Sequence, residues 1–150
     1  MTIRIVTDSS CDLPAEVIAM YGISVVPLYI NVGSQSFLDG VDLTRDEFYR
    51  KLPTFSEQPT TAVPSSQKFG AIYDALADEG ASAVLSIHIS TSLSAIVNVA
   101  QSAAHETTSV PVTVFDSRQL SLGTGFLVET AAKLAQTGSS MPEILTALTE

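Results

Sequence analysis

Four stretches of this chain close an apolar run with a cluster of hydroxyl residues: Thr7-Asp8-Ser9-Ser10, Thr60-Thr61-Ala62-Val63-Pro64-Ser65-Ser66, Ser90-Thr91-Ser92-Leu93-Ser94 and Asp116-Ser117. Each leads into sequence that favours a helix. Hydroxyls are neutral donors, and a helix N-terminus adds free amides and the positive end of its dipole, so such clusters can hold an anion without a lysine. Capping alone accounts for a serine or threonine at any one helix start, because its oxygen satisfies helix amides with no ligand present. Several clusters at one sheet edge point instead to binding, since ligands of open α/β sheets sit outside the carboxyl ends of the strands. Ser9, Thr60, Thr61, Thr91, Ser92 and Ser94 are the candidate contacts. The third cluster is the most telling: Ser92 or Ser94 can cap the next helix while the neighbouring hydroxyls stay available.

Other groupings fall short of their motifs. Asp39, Asp42 and Asp46 could gather a cation, but turn formation and helix entry account for the same residues, and no metal is expected. Gly123-Thr124-Gly125 looks like part of a dinucleotide loop, yet it lacks a third glycine at G-x-G-x-x-G spacing and a ribose-binding acid; tight packing at a helix entry is the simpler reading. His88 lies in an apolar strand, and strand alternation puts it on the same face as Ser90. A hydrolytic pair would need an aligned Oγ–Nε2 contact, and a structural histidine explains the position as well. His105 ends a helix, where a cation suits the dipole. Cys11 has no neighbouring base and reads as a packing residue, and Arg118 as half of a surface ion pair. No Walker loop, G-x-S-x-G or metal-type His/Cys spacing occurs, so neither a cofactor nor a catalytic residue is expected.

The elements that must position these residues alternate between strand and helix. Ile3–Val6 reads as a short buried strand, and Pro14–Tyr21, opened by Asp12 as cap and closed by Gly22, as a helix. Ile23–Val32 is strongly β-forming, with Pro27 marking an edge or bulge, and Gly33-Ser34 can turn it into a hairpin with Gln35–Leu38. Thr44 and Glu47 have capping-box spacing at the start of a helix over Thr44–Leu52. Pro53–Ser66 holds three prolines and no clear period; a loop of that length in a compact domain tends to be functional or disordered, and Thr60 and Thr61 favour function. A helix with Phe69, Ile72, Tyr73 and Leu76 on its inner face runs to Gly80. Then follow a strand at Ala83–Ile89, a helix at Leu93–His105 with Leu93, Ile96, Val97 and Ala100 inward, a strand at Val110–Phe115 and a helix at Leu122–Gln136. Ser140 and Glu143 form a second capping box, and their helix has no C-terminal stop signal. This order predicts a three-layer α/β/α domain with a mainly parallel sheet and right-handed crossovers.

Composition narrows the function. The 150 residues fit one domain and carry seven Lys and Arg against sixteen Asp and Glu, a formal net charge of −9. That balance argues against nucleic-acid and anionic-membrane partners. Only 15% of residues are charged, against about 25% in ordinary soluble domains, and mean hydropathy is +0.30. A surface meant to be covered by a ligand, a partner or a second domain accounts for both values, and self-association through such a face is expected when it is bare. With one cysteine and no secretory signal pattern, a cytoplasmic location is expected. Ala81–Ala104 has no charged residue, but six serines, Thr91, Asn98, Gln101 and His88 make a strand, loop and amphipathic helix the better reading than a membrane span.

The segments TDSSCDLP, FLDGVDLTRDEFY, PTTAVPSS, ISTSLSAIVNVA and VFDSRQLSLGTG occur in the order and spacing of the bacterial DegV family, which the chain resembles over essentially its whole length. The family includes the fatty-acid-binding subunits of bacterial fatty acid kinase, and its members usually continue into a second α/β domain. The resemblance implies a DegV-like N-terminal domain over residues 1–150 whose usual second domain is absent from this chain. It also implies a long-chain fatty acid as ligand, with Thr61 and Ser94 as contacts to the carboxylate. The partner it implies is an ATP-dependent kinase subunit, to which the fatty acid is presented and which performs the phosphoryl chemistry. Two departures bear on the pocket's shape: the family's T-S-Q-P-S reads Thr61-Ala62-Val63-Pro64-Ser65 here, and its L-S-G-T reads Leu93-Ser94-Ala95-Ile96. The chain is thus expected to be a non-enzymatic fatty-acid carrier. The alternative is a small α/β enzyme acting on a phosphorylated or carboxylated metabolite, which turnover of candidate phosphoesters would reveal.

Overall fold

Short apolar strands that alternate with helix-forming segments have one economical arrangement: a parallel sheet with helices on both faces. The computed structural model, which describes residues 2–149, has this form. Strands β1 (Ile3–Asp8), β2 (Ser24–Val26), β6 (Ala83–His88) and β7 (Val112–Asp116) make a parallel sheet in the order β2-β1-β6-β7. Helices α1 (Ala15–Tyr21), α5 (Leu122–Gln136) and α6 (Met141–Ala147) cover one face, where Ile5, Leu85, Ile87, Val128, Ala131 and Ile144 pack together. Helices α3 (Ser66–Asp78) and α4 (Ile96–Glu106) cover the other, around Val6, Phe69, Tyr73, Val84, Ile96 and Ala100. Every residue of β6 is buried, as expected of a central strand packed on both faces.

A second, smaller sheet departs from the sequence reading. The β-forming run Ile23–Val32 is not one strand. It breaks at Pro27-Leu28 into β2 of the parallel sheet and β3 (Tyr29–Val32), which pairs antiparallel with β4 (Gln35–Leu38) across the Gly33-Ser34 turn. Proline has no amide to donate to a ladder, so the chain leaves one sheet there and enters another. The expected loop Pro53–Ser66 contains a strand, β5 (Thr60–Ala62), antiparallel to β3. Three residues are too short for a period to show. Helix α2 (Arg45–Lys51) lies between β4 and β5 in sequence and opens with the Thr44–Glu47 capping box; Ser140–Glu143 forms another at α6.

Two further readings are corrected. Asp12 does not cap α1, whose capping position is Pro14 with no side-chain bond; Asp12 adopts a left-handed conformation, and its carboxylate faces Arg45 and Ser121 instead. Helix α4 starts at Ile96, so Leu93 lies in the preceding turn and is 60% exposed rather than inward. Gly125 packs in α5 against the turn after β1, where an added Cβ would collide with the Cys11 carbonyl oxygen. The Gly123-Thr124-Gly125 segment therefore has a packing role of the kind expected.

Candidate functional site

Parallel strands all point one way, so the segments after β1, β6 and β7 gather at one edge of the sheet. Ser9 and Ser10, the run Ser90–Ser94, and Ser117 lie there. Thr60 and Thr61 do not follow a parallel strand; they sit on β5 of the small sheet, which leans over the same edge. A groove of about 290 Å³ separates the two, with Ser10, Asp12 and Leu120 on the parallel-sheet side and Ile30, Thr60, Thr61, Phe48 and Tyr49 opposite. The hydroxyls of Thr60 and Thr61 are exposed and have no hydrogen-bond partner among the described residues.

The other candidates are placed differently. Ser9 lines an adjoining cavity of about 440 Å³, and its oxygen accepts the Leu28 amide at 3.0 Å, fixing the chain just after Pro27. Thr91 gives both its amide and its hydroxyl to the Asp116 carboxylate, at 3.3 and 2.7 Å. Burial pushes that carboxyl up, but these bonds and the Arg118 amide outweigh it and hold it below the usual range. The Ser94 oxygen accepts the Ile96 amide at 3.3 Å, in the manner of a cap, and its hydroxyl hydrogen has no acceptor among the described residues. Ser92 is exposed, and its amide donates to Ser90 Oγ. Thr60 and Thr61 thus share one groove with Ser10, while Thr91, Ser92 and Ser94 stand on the loop after β6, outside its lining. Leu93, Leu120, Leu122 and Phe126, all exposed, add an apolar rim to the loops after β6 and β7.

The acidic residues have local roles. Asp42 accepts the Leu38 amide at 2.8 Å, and Asp39 faces Arg45 at 3.5 Å. Arg45, projecting from the first turn of α2, also pairs with Asp12 and donates to the Ser9 carbonyl at 2.7 Å. Cys11 is buried, and burial pushes its thiol above the ordinary range. Sequence reasoning passed over Arg45, Phe48, Tyr49 and Leu120, because nothing in their spacing ties them to the hydroxyl clusters before the small sheet is folded over the edge.

Inside the sheet, beneath this edge, runs a polar line that the sequence also concealed. His88 does not meet Ser90. Its Nε2 lies 2.7 Å from Ser86 Oγ, and its Nδ1 lies 2.8 Å from Asp8 Oδ2. Tyr73 donates to Ser86 Oγ at 2.9 Å. Asp8, Ser86, His88 and Tyr73 are all fully buried. Asp8 also accepts the Ser10 hydroxyl, the Ser10 amide at 3.0 Å and the Ile89 amide at 3.3 Å. Burial alone would raise its pKa, but the hydrogen bonds from His88 and Ser10 hold it below the usual carboxylate value. Burial pushes the Tyr73 phenol up to about 12, so it stays protonated as a donor. With Tyr73 donating to Ser86, Ser86 to Nε2 and Nδ1–H to Asp8, every hydrogen has an acceptor. The roles parallel a Ser-His-Asp triad, but a nucleophile must reach substrate and Ser86 has no exposed surface. The signal was weak but present: Ser86 and His88 share a face of β6, and the β1–β6 register that pairs Val6 with Ser86 carries on to Asp8 and His88.

Among the described residues no helix is long and apolar enough to cross a membrane. The chain matches the model of the DegV family over residues 2–150. It is 40% identical over 148 residues to a DegV domain-containing protein of Deinococcus radiodurans, covering 99% of this chain and 52% of that protein. Among solved structures it resembles a fatty-acid-binding DegV family protein of Thermus thermophilus, with a TM-score of 0.89 and 39% identity over 99% of this chain and 52% of that one. It also resembles Bacillus subtilis DegV, described as a fatty acid binding protein, with a TM-score of 0.94 and 31% identity over 99% and 53% of the two chains. The chain therefore spans about half the length of the relatives it matches.

Proposed function

The chain belongs to the DegV family, and from that premise we propose that it binds a long-chain fatty acid, with the carboxylate at the hydroxyl-lined edge and the tail along apolar walls. The observation that carries this reading is the groove itself: Thr60 and Thr61, whose hydroxyls bond no other described residue, line it together with Leu28, Ile30, Phe48, Pro59 and Leu120. Such a surface fits a molecule with one anionic end and a long apolar body. Ser94, with its free hydrogen, is the contact proposed from the loop after β6, with Ser9, Thr91 and Ser92 beside it. A tail of ~16 carbons, at about 0.8 kcal/mol per buried CH₂, offers on the order of 12 kcal/mol before ordering costs, so the tail supplies affinity and the head fixes orientation.

The family resemblance supports reading the chain as a cytoplasmic carrier that, as the N-terminal half of a two-domain unit, would present fatty acid to an ATP-dependent kinase to which the phosphoryl chemistry would belong. The burial of Ser86 and His88 supports a carrier over a hydrolase. The exposed Leu93, Leu120, Leu122 and Phe126 support a face covered by another domain or, when bare, by a second copy.

Fatty-acid affinity measured for Thr61→Val and Ser94→Ala tests the head-group assignment. A hydrogen bond to a charged group contributes roughly 1.5–3 kcal/mol, so each change should weaken binding about 10- to 150-fold. Unchanged binding in both variants would overturn it.

A further inference from the structure

The groove beside Thr60 and Thr61 and the larger cavity beside Ser9 meet at one place. Asp12, Asp39 and Arg45 line both. Otherwise the linings are separate: Leu28, Ile30, Phe48 and Tyr49 belong to the first compartment, and Leu13, Ile18, Val25, Pro27 and Val41 to the second. We propose that the Arg45 ion-pair cluster is a charged partition between two apolar compartments and that it sets the length of acyl chain the site accepts. This rests on the fatty-acid reading above.

The partition is built from both sides. Arg45 reaches from α2 to Asp12, Asp39 and the Ser9 carbonyl. Asp12 is tethered from behind by the Ser121 hydroxyl and sits in a left-handed backbone conformation. Asp39, whose side chain is 12% exposed, is nearly enclosed. The guanidinium thus has three acceptors on separate segments and holds the small sheet's helix to the turn after β1.

A methylene that reaches this cluster gains nothing from it. An apolar group pressed on an ion pair takes water from both charges, and a charge parted from its partner and its water is costly. Within the hydroxyl-side compartment each further buried CH₂ adds about 0.8 kcal/mol, or roughly fourfold in affinity. Affinity should therefore rise about fourfold per carbon up to the length that fills the first compartment and then level off. The first compartment, about 290 Å³, lies at the lower limit of ordinary ligand sites, which run from about 300 to 1,000 Å³. The second, about 440 Å³, is closed to the tail while the cluster holds.

The test is a dissociation-constant series for straight-chain saturated fatty acids of increasing length, measured on this chain and on Arg45→Met and Asp39→Asn. Methionine keeps much of the apolar stem and removes the charge. In Arg45→Met the levelling point is expected to move to longer chains, with the fourfold gain continuing past the wild-type limit, and Asp39→Asn should move it less. A wild-type and an Arg45→Met series that level at the same carbon number would overturn the partition and leave the carrier reading standing. If no fatty acid of any length binds the wild-type chain saturably, both readings fail together. Should Arg45→Met fail to fold by circular dichroism, Asp39→Asn decides by the same criterion. Thr61→Val serves as the contrast: it should weaken every length by one factor and leave the levelling point in place.

Discussion

Asp8, Ser86 and His88 of the parallel sheet with Tyr73 of the overlying α3, and Ser10, Arg45, Thr60 and Thr61 around the small sheet, are similar sets of hydroxyl and charged groups in opposite surroundings. The first set is fully buried, and each of its hydrogens has a protein acceptor. In the second, Thr60 and Thr61 stand exposed, their hydroxyls unpaired among the described residues, and the Arg45 side chain is 45% exposed. Chemistry by residue type would rank the sealed line first, since it has the members of a triad. Accessibility reverses the order. A polar group buried with all its bonds made contributes to specifying a fold, whereas one left with a free donor at a surface groove is available to a ligand.

The difference predicts where substitutions act. His88→Leu removes one partner of the buried Asp8 carboxylate, and breaking such a pair costs about 3–5 kcal/mol, so urea unfolding should show a large loss of stability. A nearly neutral His88→Leu would break the contrast, because the buried line would then be dispensable to the fold. The same pair gives the acid response its sign. Asp8 has a lowered pKa when folded, so the unfolded chain binds the proton more readily. The stabilisation is complete above the unfolded value of about 3.9 and is lost as pH falls below it through the folded value. Unfolding midpoints at pH 6 and pH 3 should differ less in Asp8→Asn than in the wild type; an equal difference would remove Asp8 from the acid limb.

Gly125→Ala comes next in size. Its Cβ would press on the Cys11 carbonyl, backbone that cannot swing aside, and overpacking of this kind costs about 1–3 kcal/mol. Because Cys11 shares its turn with Ser9, Ser10 and Asp12, the change should lower thermal stability and fatty-acid affinity together. A loss of stability with affinity intact would show that the groove tolerates movement of that turn.

How much of this was legible follows from where each signal lies in the chain. The layers and the parallel sheet were readable because β1, β6 and β7 are apolar runs and their helices repeat at the helical period. The small sheet was largely hidden. Its strand β5 spans three residues, of which Thr60 and Thr61 are exposed, so hydrophobic pattern had nothing to mark. The candidate hydroxyls were readable as residue types, but their grouping was not. Thr60 and Thr61 join Ser10 only because the chain changes sheets at Pro27, and Arg45 joins them through contacts with Asp12, across 33 residues, and the Ser9 carbonyl, across 36. Asp8 and His88 are 80 residues apart and meet through strand register. Local spacing finds caps and turns, whereas a site assembled from separate loops needs the topology first.

The smallest expected effect separates the two regions dynamically. The small sheet has little core of its own: Ile30 is its one buried residue among the described strands, against the full burial of β6. Segments with few buried apolar contacts open locally at lower free energy than the global unfolding. The small sheet and α2 should therefore exchange their amides faster than β1 and β6. Thr44 caps α2, and replacing a threonine cap by alanine costs about 1 kcal/mol. If α2 and the small sheet open as one unit, Thr44→Ala should speed exchange of the Ile30 and Asn31 amides of the central β3 about fivefold. The Leu85 and Ile87 amides should not change, because their exchange follows opening of the parallel sheet. Acceleration of both sets by the same factor would mean that the open groove and the sealed line belong to one cooperative unit. In that case the contrast between them would be one of solvent access alone.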